Sequence, residues 1–213
     1  MTKLRVHCFS VSLDGFGAGQ QQDRDNPLGV RGLELHRWLF ATQTSKSSGG
    51  TKGTVGVDED FARRSTENIG AWIMGRNMFG PTRGPWQDDQ WRGWWGDEPP
   101  FHVPVFVLSH HRRESFEMKG GTTFHFVTGG IEEALQRAME VARPKDILLG
   151  GGVETIRQYV RAQLVDEMHL AILPILLGSG ESLLSGLDLL ALGYDVTEQV
   201  ASETAMHVLL TRR

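Results

Sequence analysis

The chain has 213 residues, of which 39% are hydrophobic and 23% are charged, a composition typical of one globular domain rather than of two domains or a disordered chain. Its formal net charge of −4 provides no basic surface for nucleic acid or an anionic membrane, and no segment reaches the ~20 apolar residues that cross a bilayer. The single cysteine, Cys8, lies in an apolar run, which excludes an internal disulfide and a multi-cysteine metal site and predicts a buried, inert thiol.

The first half of the chain alternates strand and helix patterns. Leu4–Leu13 alternates apolar and polar residues like a strand and ends at the turn Asp14-Gly15. The patterns that follow are a helix over Leu33–Ala41, a helix with an acidic first turn over Asp58–Asn68, and a strand over Ala71–Met74 that ends in Gly75-Arg76. Residues 43–57 are rich in Ser, Thr, Lys and Gly, and we predict a flexible excursion that could close over a ligand as a lid.

The second half opens with an irregular segment over Pro81–Pro104 that carries four of the six tryptophans. The predicted elements after it are strands over Val103–Leu108, Thr122–Val127, Asp146–Leu149 and Glu167–Leu177, helices over Ile131–Ala142 and Val153–Ala162, and an antiparallel pair over Val196–Ala201 and Ala205–Thr211. Pro174 interrupts the last of the four strands and predicts a bulge or a sheet edge. We therefore expect a single α/β domain over residues 1–213, with a mixed, mostly parallel sheet, helices on both faces and a C-terminal antiparallel hairpin.

Three glycines, Gly150-Gly151-Gly152, follow the strand over Asp146–Leu149 and lead directly into a helix. Bare backbone at the carboxyl end of a strand lets a ligand come close, and the N–H groups of a helix start can bind a phosphate. The sequence contains neither the Rossmann G-x-G-x-x-G nor a P-loop, so another scaffold would hold a dinucleotide. Close packing of strand on helix is the alternative explanation.

Two further strand ends carry groups that suit an anion. Arg76 follows Gly75, and a guanidinium at this position can bind a phosphate with two hydrogen bonds, although pairing with a surface carboxylate explains it equally well. Ser109-His110-His111-Arg112 ends the next strand, where a hydroxyl, two imidazoles and a guanidinium could hold an adenosine 2′-phosphate and so favour NADPH over NADH. Adjacent histidines diverge on a strand, so we expect no metal here.

These motifs resemble one family when they are taken together. They are, in chain order, Ser12-Leu13-Asp14-Gly15, Ile73-Met74-Gly75-Arg76, Leu108-Ser109-His110, Leu148-Leu149-Gly150-Gly151-Gly152-Val153-Glu154, Leu164-Val165-Asp166-Glu167 and Pro174-Ile175-Leu176-Leu177-Gly178-Ser179-Gly180. The chain resembles the dihydrofolate reductase family in the wide sense, in the bacterial branch that is similar to the C-terminal reductase domain of the bifunctional riboflavin-biosynthesis deaminase/reductase. The resemblance spans nearly the whole chain apart from residues 43–57, and it implies a dihydrofolate reductase-like three-layer α/β/α fold that uses NADPH.

The resemblance also implies a place for each cofactor contact. Gly75, Arg76, Asn77 and Met78 would contact the cofactor phosphates, although Met78 stands where the family usually has a hydroxyl residue. Ser109 with His110 or His111 would line the 2′-phosphate, and the backbone near Ser10 and Val11 would hold the nicotinamide carboxamide. The pyrophosphate and the nicotinamide ribose would lie against the glycines and the helix start, namely Gly150, Gly151, Gly152, Val153, Glu154 and Thr155.

The chemistry expected from the resemblance is hydride transfer from the nicotinamide to a C=N or C=O carbon. The proton would come from Asp14, from Glu34 on the first helix, or from water. Each carboxylate has a simpler explanation, because Asp14 suits a turn and Glu34 suits a solvated helix face. Trp86, Trp91, Trp94 and Trp95 with Phe101 would either stack on a flat substrate or pack the long loop onto the body or a partner subunit.

The substrate stays open between a ribosylated aminopyrimidine, a pterin and a small carbonyl or imine compound. The alternative from another class is a non-catalytic protein that binds NADP(H). We expect a small-molecule partner and neither nucleic acid nor membrane. A homodimer is expected from the resemblance and from Leu170–Leu177, which is very apolar for an exposed strand. No signal-peptide pattern precedes the first strand, so we expect a cytoplasmic protein.

Overall fold

The structure is a computed structural model, and it describes residues 1–46, 52–80, 83–87 and 90–213. The strands of these residues are β1 (Leu4–Ser12), β2 (Phe16–Ala18), β3 (Ile69–Gly75), β4 (Pro104–Leu108), β5 (Phe116–Glu117), β6 (Thr123–Val127), β7 (Asp146–Gly151), β8 (Glu167–Leu173), β9 (Glu181–Ser182), β10 (Tyr194–Ala201) and β11 (Met206–Arg212). The helices are α1 (Arg37–Ala41), α2 (Gln43–Lys46), α3 (Val57–Thr66), α4 (Arg76–Phe79), α5 (Ile131–Ala142) and α6 (Val153–Arg161), with short 3-10 helices over Gly32–His36 and Lys119–Gly121. None of the described helices is long and apolar enough to span a bilayer.

Nine of the described strands form one sheet in the order β10-β11-β8-β1-β7-β3-β4-β6-β5. The pairs β1–β7, β1–β8, β3–β7, β3–β4 and β4–β6 are parallel, and the pairs β10–β11, β11–β8 and β5–β6 are antiparallel. The predicted mixed, mostly parallel sheet with a closing hairpin is confirmed. Its parallel order brings the carboxyl ends of β1, β3, β4 and β7 to the same edge, which is where open α/β sheets bind ligands.

Two hydrophobic layers cover the two faces of this sheet. One face packs against the buried side of α5, where Ala134 and Ala138 lie one helical turn apart, and against α6. The other face packs against Trp38 and Phe61 from α1 and α3 and, beyond them, against an aromatic cluster that includes Phe79. The three-layer α/β/α architecture is therefore confirmed, with the tryptophan-rich segment completing the second layer.

Pro174 does not interrupt a strand, and the predicted bulge or edge at this position is wrong. β8 ends at Leu173, and it pairs with β1 on one side and with β11 on the other. A strand inside a sheet is buried on both faces, which explains why Leu170 and Ala171 are apolar without any partner subunit. The homodimer accordingly stays a prediction that depends on the resemblance alone.

The predicted excursion over residues 43–57 is fixed to the body at both ends. Gln43–Lys46 forms α2, and Thr44 donates from its backbone and hydroxyl to Glu59 of α3 at 2.8 and 2.7 Å. Thr54 donates its backbone N–H to Ala41 at 2.8 Å. Residues 47–51, in the middle of the predicted excursion, lie outside the described residues.

A buried chain of hydrogen bonds joins β1, β8, β11 and α3. The Cys8 backbone N–H donates to His169 Nδ1 at 3.1 Å, His169 Nε2 lies 3.0 Å from His207 Nδ1, and His207 Nε2 lies 2.8 Å from Asp58 Oδ1. Because a backbone N–H only donates, His169 must accept at Nδ1 and donate from Nε2, and His207 then does the same toward Asp58. Burial lowers the pKa of His169 to about 2, so its imidazole is neutral near neutral pH.

Asp166 holds the two ends of the chain together at the other edge of the sheet. Its carboxylate accepts from the Leu4 backbone at 2.8 Å and from the Arg212 guanidinium at 3.1 Å. Its backbone N–H donates to Leu4 and its carbonyl accepts from Arg212. Since β1 starts here and β11 runs antiparallel to β8, this edge lies opposite the carboxyl ends of the parallel strands.

Candidate active site

Two adjoining cavities lie along the sheet edge where the parallel strands end. The larger cavity, of about 480 Å³, is lined by the ends of β3, β4 and β7 and by the starts of α5 and α6. The second, which we call the aromatic cavity, measures about 270 Å³ and is lined by β1, the glycines after β7 and two tryptophans. Four residues line both cavities, so the two adjoin, and we refer to them together as the cleft. The shared residues are Asn77, Gly152, Val153 and Glu181.

Glycine at the ends of β3 and β7 keeps the cleft open to a ligand. A Cβ on Gly75 would collide with the Thr155 hydroxyl, and a Cβ on Gly150 would lie 2.9 Å from Trp72. Gly151 has a φ of 133°, which side-chain-bearing residues rarely adopt. Nothing lies within 4 Å of where a Cβ of Gly152 would be. The backbone at the end of β7 therefore faces open space that a ligand can fill.

The start of α6 offers hydrogen-bond donors to this space. Gly152 caps the helix without any side-chain bond to the first backbone N–H groups, and Val153, Glu154 and Thr155 all line the larger cavity. Free N–H groups and the positive end of the helix dipole favour an anion at this point. Glu154 itself points its charge at Arg157 and Arg161, at 3.5 and 3.8 Å.

Arg76 supplies the strongest charge on the wall of the larger cavity. Its guanidinium lies 3.4 Å from the centre of the Trp86 ring, and Arg113 lies 4.7 Å from the same ring. Burial and the nearby Arg113 lower the pKa of Arg76 to about 10, and its Nε is buried without a hydrogen-bond partner among the described residues. A partly buried cation beside a second cation favours an anionic ligand.

The turn after β4 brings two imidazoles to the same cavity. Ser109, His110 and His111 all line it. The Ser109 hydroxyl accepts from the His111 N–H at 3.1 Å and donates to the His111 carbonyl at 3.0 Å, so it closes its own turn. The imidazoles, rather than the hydroxyl, are left for a ligand.

The predicted nicotinamide-side residues divide between the aromatic cavity and the core. Ser10 lines the aromatic cavity, and its hydroxyl accepts from the Trp38 indole N–H at 2.8 Å. Asn77 and Met78 also line it. Val11 belongs to the core and lines neither cavity.

The structure brings neither predicted proton donor into the cleft. The Asp14 carboxylate accepts from the Ser12 hydroxyl at 2.5 Å and from the backbone N–H groups of Leu177 and Gly178 at 3.1 and 2.7 Å, and these bonds lower its pKa. Glu34 pairs with Arg31 at 2.9 Å on the surface. Neither carboxylate lines either cavity, so each takes the simpler role of turn or surface residue.

His36 lies in the wall of the aromatic cavity, and the sequence reasoning missed it. Its Nδ1 is enclosed without a hydrogen-bond partner among the described residues, and burial lowers the pKa of the imidazole to about 4. His36 ends a 3-10 helix, and no sequence pattern marked it as a cavity residue.

The tryptophan-rich segment divides between the two predicted roles. Trp94 and Trp95 line the aromatic cavity. Trp86 lies beneath Arg76, and Trp91 donates its indole N–H to the Phe79 carbonyl at 3.0 Å. Phe101 is buried in the core. The segment therefore packs onto the body and also contributes two rings to the cleft.

Cys8 is half-buried rather than buried, and it lines the aromatic cavity. Burial raises the pKa of its thiol to about 12, so the reactive thiolate is absent near neutral pH. Among the described residues, His7, Cys8 and His169 form one group whose possible metal-ligand atoms lie within 4.8 Å of one another. His169 Nδ1 already accepts from Cys8, and the positive charges of Arg5 and Arg64 near His7 disfavour a cation there.

Comparison with known proteins agrees with this architecture. A protein described as a riboflavin biosynthesis protein, from Shewanella sp. PV-4, aligns over 100% of this chain and 99% of its own with 21% identity and a TM-score of 0.61. A diaminohydroxyphosphoribosylaminopyrimidine deaminase/5-amino-6-(5-phosphoribosylamino)uracil reductase from Thermotoga maritima aligns over 100% of this chain and 57% of its own, with 13% identity and a TM-score of 0.55. No curated protein sequence matches the chain.

The likeness also extends to a dihydrofolate reductase. The Enterococcus faecalis enzyme in complex with NADP(H) aligns over 99% of this chain and 96% of its own, with 12% identity and a TM-score of 0.52. The class of protein that the fold defines is thus the dihydrofolate reductase-like α/β proteins. The family model of the RibD C-terminal domain matches residues 6–208, and the chain belongs to this family.

Proposed function

We propose that this protein is an NADPH-dependent reductase that transfers a hydride to a small substrate bound in the aromatic cavity. The observation that carries the proposal is the cavity lined by the cation Arg76, a helix start and glycine backbone, which adjoins a second, aromatic cavity and shares four lining residues with it. A dinucleotide has this division of chemistry, with anionic phosphates at one end and a flat ring at the other. Membership of the RibD C-terminal domain family supports the same activity.

The residues present fit the cofactor at three points. The Arg76 guanidinium lines the larger cavity and has no carboxylate partner among the described residues, so its outer N–H groups are donors that a phosphate would satisfy. The open space over Gly152 and the N–H groups of α6 suit the pyrophosphate, because any larger residue there would extend into it. His110 and His111 stand where the 2′-phosphate that distinguishes NADPH from NADH would need donors.

When bound, the cofactor supplies a hydride from C4 of its nicotinamide. Ser10, Asn77 and the glycines at the end of β7 would hold the ring end of the cofactor beside a substrate in the aromatic cavity. Because Asp14 and Glu34 lie outside the cleft, water is the remaining proton source of the three expected from the sequence.

Titration with NADPH, followed by quenching of tryptophan fluorescence, tests the proposal. We expect saturable binding, and we expect Arg76→Met to weaken it at least tenfold, which corresponds to about 1.4 kcal/mol or more. Arg137→Met is the matched control, since Arg137 pairs with Glu133 on the exposed side of α5 and should leave the Kd unchanged. Absence of NADPH binding would refute the proposal.

Oxidation of NADPH at 340 nm with a panel of heterocycles, carbonyls and imines then separates an enzyme from a binding protein. We expect turnover with at least one compound class. Tight NADPH binding with no turnover across the panel would favour the non-catalytic alternative.

A further inference from the structure

We infer that the aromatic cavity takes a flat, uncharged, unphosphorylated compound of one or two rings, whose polar edge hydrogen-bonds to His36. This inference names the substrate class for the function proposed above and therefore rests on it. It separates the chain from the Thermotoga maritima protein, whose name specifies a phosphoribosylamino-uracil.

The first argument is the charge of the cavity wall. The lining residues include no lysine and no arginine, and the one charged side chain among them is Glu181, which is anionic. The nine residues outside the described part of the chain, 47–51, 81–82 and 88–89, contain no lysine or arginine either. A phosphate carries up to about two negative charges and needs cations or several donors when it leaves water.

The cations of the larger cavity do not line the aromatic one. Arg76 and Arg83 line the larger cavity alone, and Arg83 pairs with Glu181 at 3.3 Å. Gly152 and Val153 at the start of α6 line both cavities, and under the proposed function their N–H groups serve the cofactor. A second phosphate, on the substrate, would therefore find no lysine or arginine in the wall of the aromatic cavity.

The second argument is the shape and surface of the cavity. The aromatic cavity has apolar walls that suit the faces of a planar ring, and these walls are formed by Phe9, Leu28, Trp94 and Trp95. Both tryptophan rings pack edge to face on other aromatic rings. The ring centroids of Trp94 and Trp91 lie 4.8 Å apart, and those of Trp95 and Phe101 also lie 4.8 Å apart. The volume of about 270 Å³ is small for a ligand site, and under the proposed function the nicotinamide end would take part of it.

The third argument is the imidazole of His36, which lines this space. Its Nδ1 is enclosed, so Nε2 is the ring nitrogen that a ligand could reach, and the ring stacks on Phe40 with 5.8 Å between centroids. One accessible nitrogen of a neutral imidazole offers one donor or one acceptor, which matches a polar group on the edge of a heterocycle rather than an anion. His36 is thus placed to contact the substrate, whereas Asp14 and Glu34 line neither cavity.

The test uses ligand pairs that differ in a phosphate, and it measures binding separately from NADPH. Isothermal titration calorimetry would compare 5-amino-6-ribitylaminouracil with its 5′-phosphate, and would include 6-methylpterin as a bare two-ring compound. Each titration is run with the free protein and with the protein saturated with NADPH. We expect 6-methylpterin to bind and the unphosphorylated uracil to bind at least tenfold more tightly than its phosphate.

Variants of His36 complete the test. His36→Ala should weaken 6-methylpterin binding at least tenfold while the NADPH Kd stays within twofold, and His36→Asn should restore part of the loss because it keeps a donor and an acceptor. Equal or tighter binding of the phosphate, no binding of any unphosphorylated ring, or an unchanged affinity in His36→Ala would each overturn the inference. A protein that binds the unphosphorylated rings but not NADPH would instead overturn the proposed reductase and leave the cavity assignment standing.

Discussion

The two halves of the cleft are built from different parts of the chain. The larger cavity comes from the ends of regular strands and the starts of helices, and it carries Arg76, Arg83 and two histidines. The outer wall of the aromatic cavity comes from irregular segments around Gln22–Leu28 and Trp94–Trp95, and its lining includes no lysine or arginine. Under the proposed function, the regular scaffold would bind the anionic part of the cofactor, whereas the loops would select the compound that is bound beside it.

The largest effect is expected at the glycines of the larger cavity. Gly75→Ala brings a methyl group onto Thr155, so it should push α6 from β3, lower the free energy of unfolding by about 1–3 kcal/mol and weaken NADPH binding about a hundredfold. Thermal unfolding and fluorescence titration measure the two quantities.

Gly152→Ala is the matched comparison for Gly75→Ala. Its methyl group meets no protein atom within 4 Å, so stability should stay within about 0.5 kcal/mol while NADPH binding still falls. Unchanged NADPH affinity in Gly152→Ala would mean that the cofactor does not cross the end of β7.

Acid should lower the free energy of unfolding through the buried histidines of the protein. Burial lowers the folded pKa of His7 from 6.5 to about 3 and that of His36 to about 4. Below pH 6.5 the imidazoles of the unfolded chain bind protons, whereas those of the folded protein stay neutral. The free energy of unfolding is therefore highest above pH 6.5 and falls as the pH is lowered to about 3. Each histidine contributes a loss of up to about 1.4 kcal/mol per pH unit.

Urea unfolding at pH 7, 6, 5 and 4 checks the expected loss. His36→Asn removes one of the titrating groups and should flatten the slope, whereas the same slope in both proteins would show that His36 is not buried as neutral imidazole.

A smaller effect is expected from the imidazoles of the larger cavity. The double variant His110→Gln/His111→Gln should reduce the preference for NADPH over NADH about tenfold, mostly by weakening NADPH, because NADH has no 2′-phosphate to lose. His125→Gln is the control, since His125 contacts Ser115 and lines neither cavity. An equal loss of affinity for NADPH and NADH would show that the two histidines contact a part of the cofactor other than the 2′-phosphate.

The smallest effect is expected from the two carboxylates outside the cleft. Asp14→Asn and Glu34→Gln should each leave kcat within about twofold, since general acid help of the kind worth ~10²-fold or more requires contact with the substrate. Steady-state kinetics with any active substrate would measure kcat for the two variants and the parent protein. A hundredfold fall in either variant would show that the substrate reaches beyond the aromatic cavity.

The sequence was sufficient for the elements that form the larger cavity. The predicted helix over Ile131–Ala142 has the observed bounds, because its apolar spacing and flanking glycine coincide. The glycines after β7 and the Gly75-Arg76 pair were identified because strand ends in a parallel sheet meet at one edge. Local pattern and tertiary position agree at these residues.

The aromatic cavity could not be predicted in the same way. His36 and Gln22 reach it through the path of a loop and a 3-10 helix, which have no periodicity to read. Asp14 seemed close to the substrate because it follows β1, but its oxygens are engaged by the backbone of Leu177 and Gly178, more than 160 residues later in the chain. Pairings at such separation are invisible to local patterns.

The hydrogen bonds from Leu4 and Arg212 to Asp166 have a practical consequence for handling the protein. Both chain ends are held beside this residue, on the edge of the sheet that faces away from the cleft. An affinity tag or a surface anchor attached at either terminus therefore leaves the cleft facing solution. Immobilised protein on a sensor chip should bind ligands as it does when free.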